Sequence, residues 1–329
     1  MNQQTARRTI LALAASLTAL GGASLAHAQP FPSKTLTLIV PFPAGGGPDL
    51  AARVFAEKLA PRLGQAVVVD NRPGAGALLG AGVVAKAAAD GHTLLFTPNT
   101  VVISPHVLVQ GAGGGVDVQR DLAPVIAPAT TPMVLVASPQ LGAGNLKAAL
   151  ELMRKTSDLP YGSAGNGSPM HFAGEMFQRA AKVKLLHVPY RGVAPSITAT
   201  LGGEVKLLFT GLGGATQHIK AGKLVPLAVT ERTRSELMPD VPTATEQGVP
   251  GVEVAAWYGV FAPKDTPAAT VARLNQEFNA VLQMPDVRSK LTGAGLEPLG
   301  GTPQQLDAFV KADHQRYGTL ARELNIKAD

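Results

Sequence analysis

Residues 36–49 read LTLIVPFPAGGGPD, and this stretch decides the fold class of the chain. Its apolar beginning predicts a short buried strand, and the residues from Leu50 onwards have the spacing of an amphipathic helix. Pro48 stands at the predicted first helical position, where its fixed φ suits the helix. An N–H group at this position would have no partner within the helix, so its absence costs nothing. A helix start preceded by glycines exposes N–H donors and about half a positive charge. The stretch therefore predicts a strand-to-helix junction that suits an anion such as a carboxylate.

A second junction of the same design lies at Gly165-Asn166-Gly167-Ser168-Pro169. It also joins a strand-like run to an amphipathic helix pattern, and proline again follows the glycines. One such junction alone is weak evidence for a ligand site, since an unliganded turn has the same pattern. Two of them, in different halves of the chain, predict two lobes that close on one small anionic ligand.

The N-terminus has the order of a secretory signal peptide. Arg7 and Arg8 precede an apolar run at 10–20, and Ala26-His27-Ala28 forms a small-residue cleavage site. We therefore expect cleavage after Ala28 and a periplasmic mature chain that begins at Gln29. The apolar run is shorter than the roughly 20 residues that span a bilayer, which argues against a membrane anchor. The paired arginines leave twin-arginine export open beside the general secretory route.

The composition argues against several kinds of site. The chain has no cysteine, which excludes disulfides and thiolate metal ligands. Its seven histidines lack the close spacing of metal ligands, so we expect no metal and no cofactor. The formal net charge is +6, but the lysines and arginines form no cluster, which argues against nucleic-acid binding. With 46% hydrophobic and 16% charged residues, the chain is typical of a globular protein.

Strand and helix signals alternate after the leader. Strands are predicted at 36–40, 66–69 and 93–96, with helices at 50–63 and 80–89 between them. This β-α-β-α-β order predicts an α/β fold, in which a parallel sheet carries helices on its faces.

The chain is then predicted to leave this lobe and to return. Thr130-Thr131-Pro132 separates two apolar runs and marks the predicted crossing, and Val249-Pro250-Gly251-Val252 marks the return. The first lobe is expected to contain residues 29–129 and 252–329, and the second lobe residues 130–251. Two connecting segments favour a hinge and an interlobe cleft. The elements predicted after the crossing are helices at 146–154, 169–181, 194–201, 268–282 and 303–324 and strands at 161–163, 185–189, 205–210, 224–230 and 257–261.

Two glycine-rich stretches fall short of nucleotide-binding motifs. The first junction has no Lys-Ser or Lys-Thr after its glycines, so it is not a Walker A loop. Gly74-Ala75-Gly76 and Gly80 have the wrong spacing for a dinucleotide fingerprint, and Pro73 interrupts the turn. Asp49 falls in the first helical turn, where a carboxylate repels a nearby anion. Asp49 is therefore expected either to cap the helix or to accept a hydrogen bond from a donor on the ligand.

Ser163 supports a competing hypothesis. Tyr161-Gly162-Ser163-Ala164-Gly165 nearly matches the nucleophile elbow G-x-S-x-G, with tyrosine in place of the first glycine. His171 and His187 are candidate bases, although the sequence places neither ring beside the hydroxyl. A periplasmic serine hydrolase therefore stays open as an alternative.

Motifs that occur in order along the mature chain resemble those of the substrate-binding proteins of tripartite tricarboxylate transporters, the Bug family. These motifs are residues 40–49, 69–76, 89–94, 163–167, 187–192, 219–223, 239–243 and 256–259. The resemblance implies a two-lobed type II periplasmic-binding-protein fold that is not an enzyme. It also implies that the protein captures a small carboxylate for the membrane subunits of a transporter, and we expect it to be a monomer. A role as the ligand-sensing partner of a membrane receptor is a further alternative.

In this family, backbone groups and bridging waters from two glycine loops hold one ligand carboxylate, which implies that role for residues 42–47 and 163–168 here. Trp257 and Tyr258 follow the predicted return segment, which makes these aromatic residues candidates for the border of the cleft as well as for the core. The candidate ligand-binding residues are Phe42, Ala44, Gly45, Gly46, Gly47, Asp49, Thr97, Asn99, Ser163, Ala164, Gly165, Asn166, Gly167, Ser168, Thr210, Trp257 and Tyr258.

One departure from the family pattern bears on the ligand. Many members have an acidic or amide pair after the strand that ends near Phe209, whereas this chain has Thr210-Gly211. An ammonium group on the ligand would lack a counter-charge at this position. The sequence therefore favours an organic acid without an amino group.

Overall fold

A computed structural model describes residues 31–108 and 114–327 of the 329-residue chain. The predicted signal peptide, residues 1–28, lies outside the described residues. The described residues from Lys34 onwards form one unit, and residues 31–33 contain no helix or strand. Across the two described ranges, no helix is both long and apolar enough to cross a membrane.

Strands and helices alternate through most of the described chain. The strands are β1 (Leu36–Val40), β2 (Val67–Asn71), β3 (Thr93–Pro98), β4 (Leu122–Thr131), β5 (Met133–Ala137), β6 (Leu159–Ser163), β7 (Leu185–Pro189), β8 (Leu207–Gly211), β9 (Val225–Val229), β10 (Ala256–Pro263) and β11 (Glu297–Pro298). The helices are α1 (Gly47–Leu63), α2 (Leu78–Ala85), α3 (Thr100–Ile103), α4 (Val118–Asp121), α5 (Leu146–Lys155), α6 (Pro169–Ala181), α7 (Val193–Gly202), α8 (Leu212–Lys220), α9 (Ala268–Leu282), α10 (Pro285–Gly293) and α11 (Pro303–Glu323).

The described strands form two sheets, and the predicted two-lobed α/β fold is confirmed. The sheet of the first lobe has the order β11-β4-β10-β3-β1-β2, and the sheet of the second lobe has the order β7-β6-β8-β5-β9. The chain crosses from the first sheet to the second at Pro132, the single residue between β4 and β5. It returns between Val229, the end of β9, and Ala256, the start of β10. Two segments therefore connect the lobes, as in hinged proteins.

Each lobe has an aromatic core of its own. In the first lobe, Phe55 packs against Phe96 and Phe278, with ring centroids 6.0 and 5.4 Å apart. In the second lobe, the rings of Phe177 and Phe209 are 5.6 Å apart. Separate cores allow the lobes to move as rigid bodies about the two connections.

The parallel strands of each lobe end at one edge of their sheet. β1 pairs in parallel with β2 and β3, and β6 pairs in parallel with β7 and β8. Helices α1, α2 and α3 follow the first set, and helices α6, α7 and α8 follow the second set. Open α/β sheets bind ligands outside this carboxyl edge, so each lobe presents a suitable edge.

The two carboxyl edges meet. Phe172, in α6 of the second lobe, packs with Ile103, Val107 and Tyr317 of the first lobe. Its ring is 4.9 Å from the Tyr317 ring in an edge-to-face arrangement of 78°. Gly167, just before α6, lies so close to Val107 that an added Cβ would clash with that side chain. The second junction therefore lies against the first lobe.

The helix predicted at 80–89 is wrong at both ends, because α2 begins at Leu78 and stops at Ala85. The N–H groups of Lys86 and Ala87 bond to the carbonyls of Gly82 and Val84, so the last turn tightens and ends the helix.

Candidate ligand-binding cleft

The first junction, between β1 and α1, has an uncapped helix start. Gly46, at the N-cap of α1, is extended and offers no capping side chain, and Pro48 lies in the first turn. Gly45 has φ +81°, a conformation that favours glycine. The N–H groups of Ala44 and Gly47 have no acceptor among the described residues, whereas the Gly46 N–H closes the turn at Ala44-Gly45. This helix start is therefore open to an anion.

Asp49 holds the first junction in place through hydrogen bonds of its carboxylate. Its Oδ2 accepts the Gly45 N–H at 2.9 Å and the Arg53 Nε–H at 3.0 Å. Its Oδ1 accepts the Asn71 amide at 3.0 Å, and the same amide donates to the Phe42 carbonyl at 3.0 Å. The residue is only 2% exposed. Since both carboxylate oxygens are engaged within the protein, Asp49 contributes to the site by holding the loop.

The charge of Asp49 persists despite its burial. Burial acts to raise the pKa of this carboxyl group, but hydrogen bonds from Arg53, Gly45 and Asn71 outweigh it and hold the pKa below the usual value. The Asp49 side chain is therefore a carboxylate at neutral pH, and it acts only as a hydrogen-bond acceptor.

The Tyr258 hydroxyl lies beside the start of α1. A Cβ placed on Gly47 would be 3.1 Å from this oxygen. The tyrosine ring packs against Phe96 with centroids 6.0 Å apart, and its hydroxyl has no hydrogen-bond partner among the described residues. Burial raises the pKa of Tyr258 above its usual value, so the group stays protonated and can donate.

The second junction, between β6 and α6, has a capped helix start. Ser168 is the N-cap, and its Oγ accepts the His171 N–H at 3.3 Å and donates to the Gly165 carbonyl at 2.7 Å. Gly165 has φ +125° and Gly167 has φ +71°, which are conformations that favour glycine. The shape of the loop is therefore fixed by the Ser168 side chain and by the left-handed conformations of two glycines.

A pair of histidines lies behind the second junction. Ser163 Oγ is 2.7 Å from His187 Nε2 and accepts the Gly165 N–H at 3.1 Å. The His187 ring stacks on His171 with centroids 3.8 Å apart, and His171 Nδ1 accepts the Gly167 N–H at 3.3 Å. Burial lowers the pKa of His187 to about 4. Burial, and then the neighbouring His187, lower the pKa of His171 to about 3, so both rings are neutral at neutral pH.

These contacts decide which donors of the second loop are available. The N–H groups of Gly165 and Gly167 bond to the side chains behind the loop, and the Ser168 N–H bonds to the Gly165 carbonyl at 3.2 Å. The N–H groups of Ala164 and Asn166 have no acceptor in the part of the chain that the structure describes. The second loop therefore offers these two groups.

Trp257 and Asn99 belong to a different network. Trp257 and Tyr258 are neighbours on β10, so their side chains lie on opposite faces of the sheet. The Trp257 indole N–H and the Asn99 amide each donate to Asp313 Oδ2, in α11, at 2.9 Å. The indole thus binds the C-terminal helix, away from the start of α1.

Thr97 and Thr210 lie near strand ends at the carboxyl edges. Both are buried, and each hydroxyl is within reach of the next carbonyl along the chain, at 3.1 Å for Thr97 and 3.5 Å for Thr210. Because β6 and β8 are parallel neighbours, Thr210 ends at the same edge as Ser163. The structure thus brings Thr210 to the edge that carries the second loop.

The candidate list omitted residues that hold the site. Asn71 ties the first loop to β2, and its signal in the sequence was its place in the motif at 69–76. The sequence pattern indicates His171 and His187 only as catalytic bases. Asp313 joins Asn99 to Trp257 from a helix more than 50 residues further along the chain, and no local pattern points to it.

The Ser163–His187 pair lacks the other features of a hydrolase. Ser163 is fully buried, and its oxygen already bonds to the loop backbone. No carboxylate in the described part of the chain forms a hydrogen bond with His187, so the pair has no third group to orient the base.

Comparison with known proteins gives the family directly. Residues 51–326 match the family model of the tripartite tricarboxylate transporter family receptor, TctC. Protein BugT from Bordetella pertussis is 33% identical over 308 residues, which cover 93% of this chain and 94% of BugT.

Two solved structures are similar over nearly their whole length. R. palustris Rpa4515, solved with adipate, has a TM-score of 0.85 and 34% identity, covering 90% of this chain and 99% of that one. MatC from Rhodopseudomonas palustris, solved with bound malate, has a TM-score of 0.81 and 32% identity, covering 88% and 99%. The chain therefore belongs to the tripartite tricarboxylate transporter receptor (TctC, or Bug) family, whose members are periplasmic solute-binding proteins and not enzymes.

Proposed function

We propose that this chain is an exported, monomeric protein of the periplasm that binds a small carboxylate between its lobes and delivers it to transporter membrane subunits. In this proposal the signal peptide is cleaved after Ala28. Residues 29–129 and 252–329 form the first lobe, and residues 130–251 form the second. The observation that carries the proposal is that the starts of α1 and α6 lie at the two meeting edges, and that the loops leading into them contain N–H groups with no acceptor among the described residues.

These groups suit a carboxylate. Ala44 and Gly47 offer N–H groups from the first lobe, and Ala164 and Asn166 offer them from the second. Two helix starts add partial positive charge, and a carboxylate has two oxygens to accept the bonds. Because the donors come from both lobes, the closed state binds the anion more tightly than the open state, and binding favours closure. The structures of Rpa4515 with adipate and MatC with malate support this ligand class.

The far end of the ligand is proposed to carry no amino group. Thr210 and Gly211 end β8 at the carboxyl edge of the second lobe, and neither offers a counter-charge to an ammonium group. An organic acid avoids the cost of burying an unpaired ammonium ion.

Calorimetry on the purified mature protein tests the ligand class. Adipate, malate, glutamate and aspartate are titrated separately, with adipamide as the uncharged counterpart of adipate. We expect adipate or malate to bind with a micromolar or lower dissociation constant, and the amino acids and adipamide to bind at least 10-fold more weakly. Binding of the amino acids alone would contradict the proposed class. Native mass spectrometry of the protein as isolated would identify a retained acid outside this panel.

Asp49→Ala is expected to weaken adipate binding by about 10- to 100-fold, or about 1.4–2.7 kcal/mol. The substitution removes the acceptor of the Gly45 N–H and of the Asn71 amide, so the first loop loses the hydrogen bonds that hold it in place. Calorimetry measures the change. Asp70→Ala removes a neighbouring exposed carboxylate that pairs with Arg72, and it should bind adipate like the parent protein. A folded Asp49→Ala protein with parental affinity would show that ligand binding does not need the hydrogen bonds of Asp49.

Tyr258→Phe is expected to reduce adipate affinity about 3- to 10-fold, the usual effect of one lost hydrogen bond. The ring and its contact with Phe96 remain, and only the hydroxyl beside Gly47 is removed. Tyr317→Phe, which removes a buried hydroxyl from α11, serves as the matched control and should leave the affinity unchanged. Equal affinities for both variants would exclude a ligand contact by the Tyr258 hydroxyl.

A further inference from the structure

We infer that His171 and His187 are positioning residues for the ligand: as a neutral stacked pair, they hold the Gly165 and Gly167 turns so that Ala164 and Asn166 present their N–H groups. This inference rests on the proposed function, because it assigns a role within the same site. The two rings reach the loop at different points, His187 through Ser163 and His171 through Gly167.

The hydrogen bonds determine the tautomer of His171. Its Nδ1 accepts the Gly167 N–H at 3.3 Å, so this nitrogen carries no proton. The ring proton of the neutral form is therefore on Nε2, which faces Glu175 Oε1 at 3.9 Å. A second proton on Nδ1 would place two N–H groups against each other and release the Gly167 turn.

The tautomer of His187 follows from the bonds of Ser163. The Ser163 oxygen accepts the Gly165 N–H at 3.1 Å, and its own proton has two acceptors within reach. The Gly165 carbonyl is 3.3 Å away and already accepts the Ser168 hydroxyl at 2.7 Å, whereas His187 Nε2 is only 2.7 Å away. The shorter contact favours donation of the serine proton to His187 Nε2, which places the ring proton of His187 on Nδ1.

Packing keeps both rings in place. The two imidazoles stack with an interplanar angle of 12°, and Tyr161 stacks on His187 with centroids 5.0 Å apart. The Tyr161 hydroxyl donates to Glu175 Oε1 at 2.7 Å, which closes the cluster between β6, β7 and α6. Each ring thus has a fixed position and one acceptor nitrogen for the loop, as a positioning residue requires.

Two pairs of substitutions test separately the effect of the acceptor nitrogen and the effect of the stacked ring. His171→Asn and His187→Gln keep an acceptor near the position of the ring nitrogen, and His171→Phe and His187→Phe keep the stacked ring without an acceptor. We expect the phenylalanine variants to bind adipate at least 10-fold more weakly than the parent. The asparagine and glutamine variants should stay within about 3-fold. Equal losses in both pairs, or parental affinity of the folded phenylalanine variants, would overturn the positioning role.

A second measurement does not depend on a ligand. Long-range ¹⁵N–¹H spectra of the parent protein at pH 7 should show the Nε2–H tautomer for one of these histidines and the Nδ1–H tautomer for the other, with assignment from the single variants. Hydrogen exchange at the Gly165 and Gly167 amides should be slow in the parent and faster in the phenylalanine variants. An imidazolium at either site, or the same tautomer at both, would overturn the inference. If no acid binds the parent protein, the proposed function fails. The spectra would still test the tautomers of the two histidines and their hydrogen bonds to the loop.

Discussion

Phe172→Ala should lower the free energy of unfolding by about 3–5 kcal/mol, the range for a large buried side chain cut back to a methyl group. Phe172 is fully buried although it begins the second turn of α6, near the cleft. It is buried because the first lobe covers it with Ile103, Val107 and Tyr317. The side chain therefore stabilises both the fold and the contact between the lobes.

Phe177→Ala is the matched control for this prediction. Phe177 lies on the same helix and is also buried, but its neighbours, such as Phe209, belong to the second lobe. Urea unfolding followed by Trp257 fluorescence should give a loss of similar size for both variants. Small-angle scattering of the folded proteins should show expansion only for Phe172→Ala. Equal compactness of the two variants would contradict a role for Phe172 in holding the lobes together.

The free energy of unfolding should also fall as the pH is lowered from about 6.5 to about 4, by up to about 1.4 kcal/mol per pH unit for each buried histidine. The pKa is lowered to about 3 for His171 and to about 4 for His187, against about 6.5 in the unfolded chain. Between these values the unfolded chain binds protons that the folded protein does not, so acid favours unfolding. Partly exposed His187 should contribute less than His171, since water screens its charge.

Other groups of the protein moderate this effect of acid on stability. Glu175, on α6, faces His171 at 3.9 Å and attracts its charged form, whereas Tyr161 and Ser163, on β6, present no charge to His187. Glu231 acts in the opposite sense, because burial and then Glu297 raise its pKa to about 7 and acid therefore favours the folded state there. The histidine contribution must consequently be measured as a difference between proteins.

The double variant His171→Asn/His187→Gln provides that difference. Urea unfolding at pH 7, 6, 5 and 4 should show a smaller loss of stability with acid in the double variant than in the parent. All other titrating groups are common to both proteins. Parallel curves would mean that these histidines do not differ in protonation between the folded and unfolded states.

Local signals in the sequence predicted much of the fold. α6 at Pro169–Ala181 and α9 at Ala268–Leu282 have the predicted bounds. Pro169 follows its N-cap directly, and such signals act within one turn of the chain. The predicted helix at 146–154 likewise begins after Asn145, whose side chain accepts the Ala148 N–H.

Other helices depend on packing instead. α8 at Leu212–Lys220 is absent from the predicted elements, since Gly213 and Gly214 in its first turn are poor helix formers. It forms against β8 and α7, where Leu212 and Ala215 are buried in the core of the second lobe. Tertiary burial here outweighs local propensity.

The sequence by itself determined the two glycine-to-proline junctions, because the conformations of glycine and proline depend on a few neighbouring residues. It could not separate Trp257 from Tyr258, whose opposite directions depend on which sheet face is covered by α11 and which by α1. Only the tertiary structure decided how the acceptors at the junctions are held. The side chains of Asp49 and Ser163 accept N–H groups within their own loops. Distant residues hold these side chains in place, since Asn71 binds Asp49 from the neighbouring strand and His187 binds Ser163 from the next strand. Hydrogen bonds of this kind exist only when the sheets have formed, because nothing in the local sequence brings the partners within 3 Å of each other.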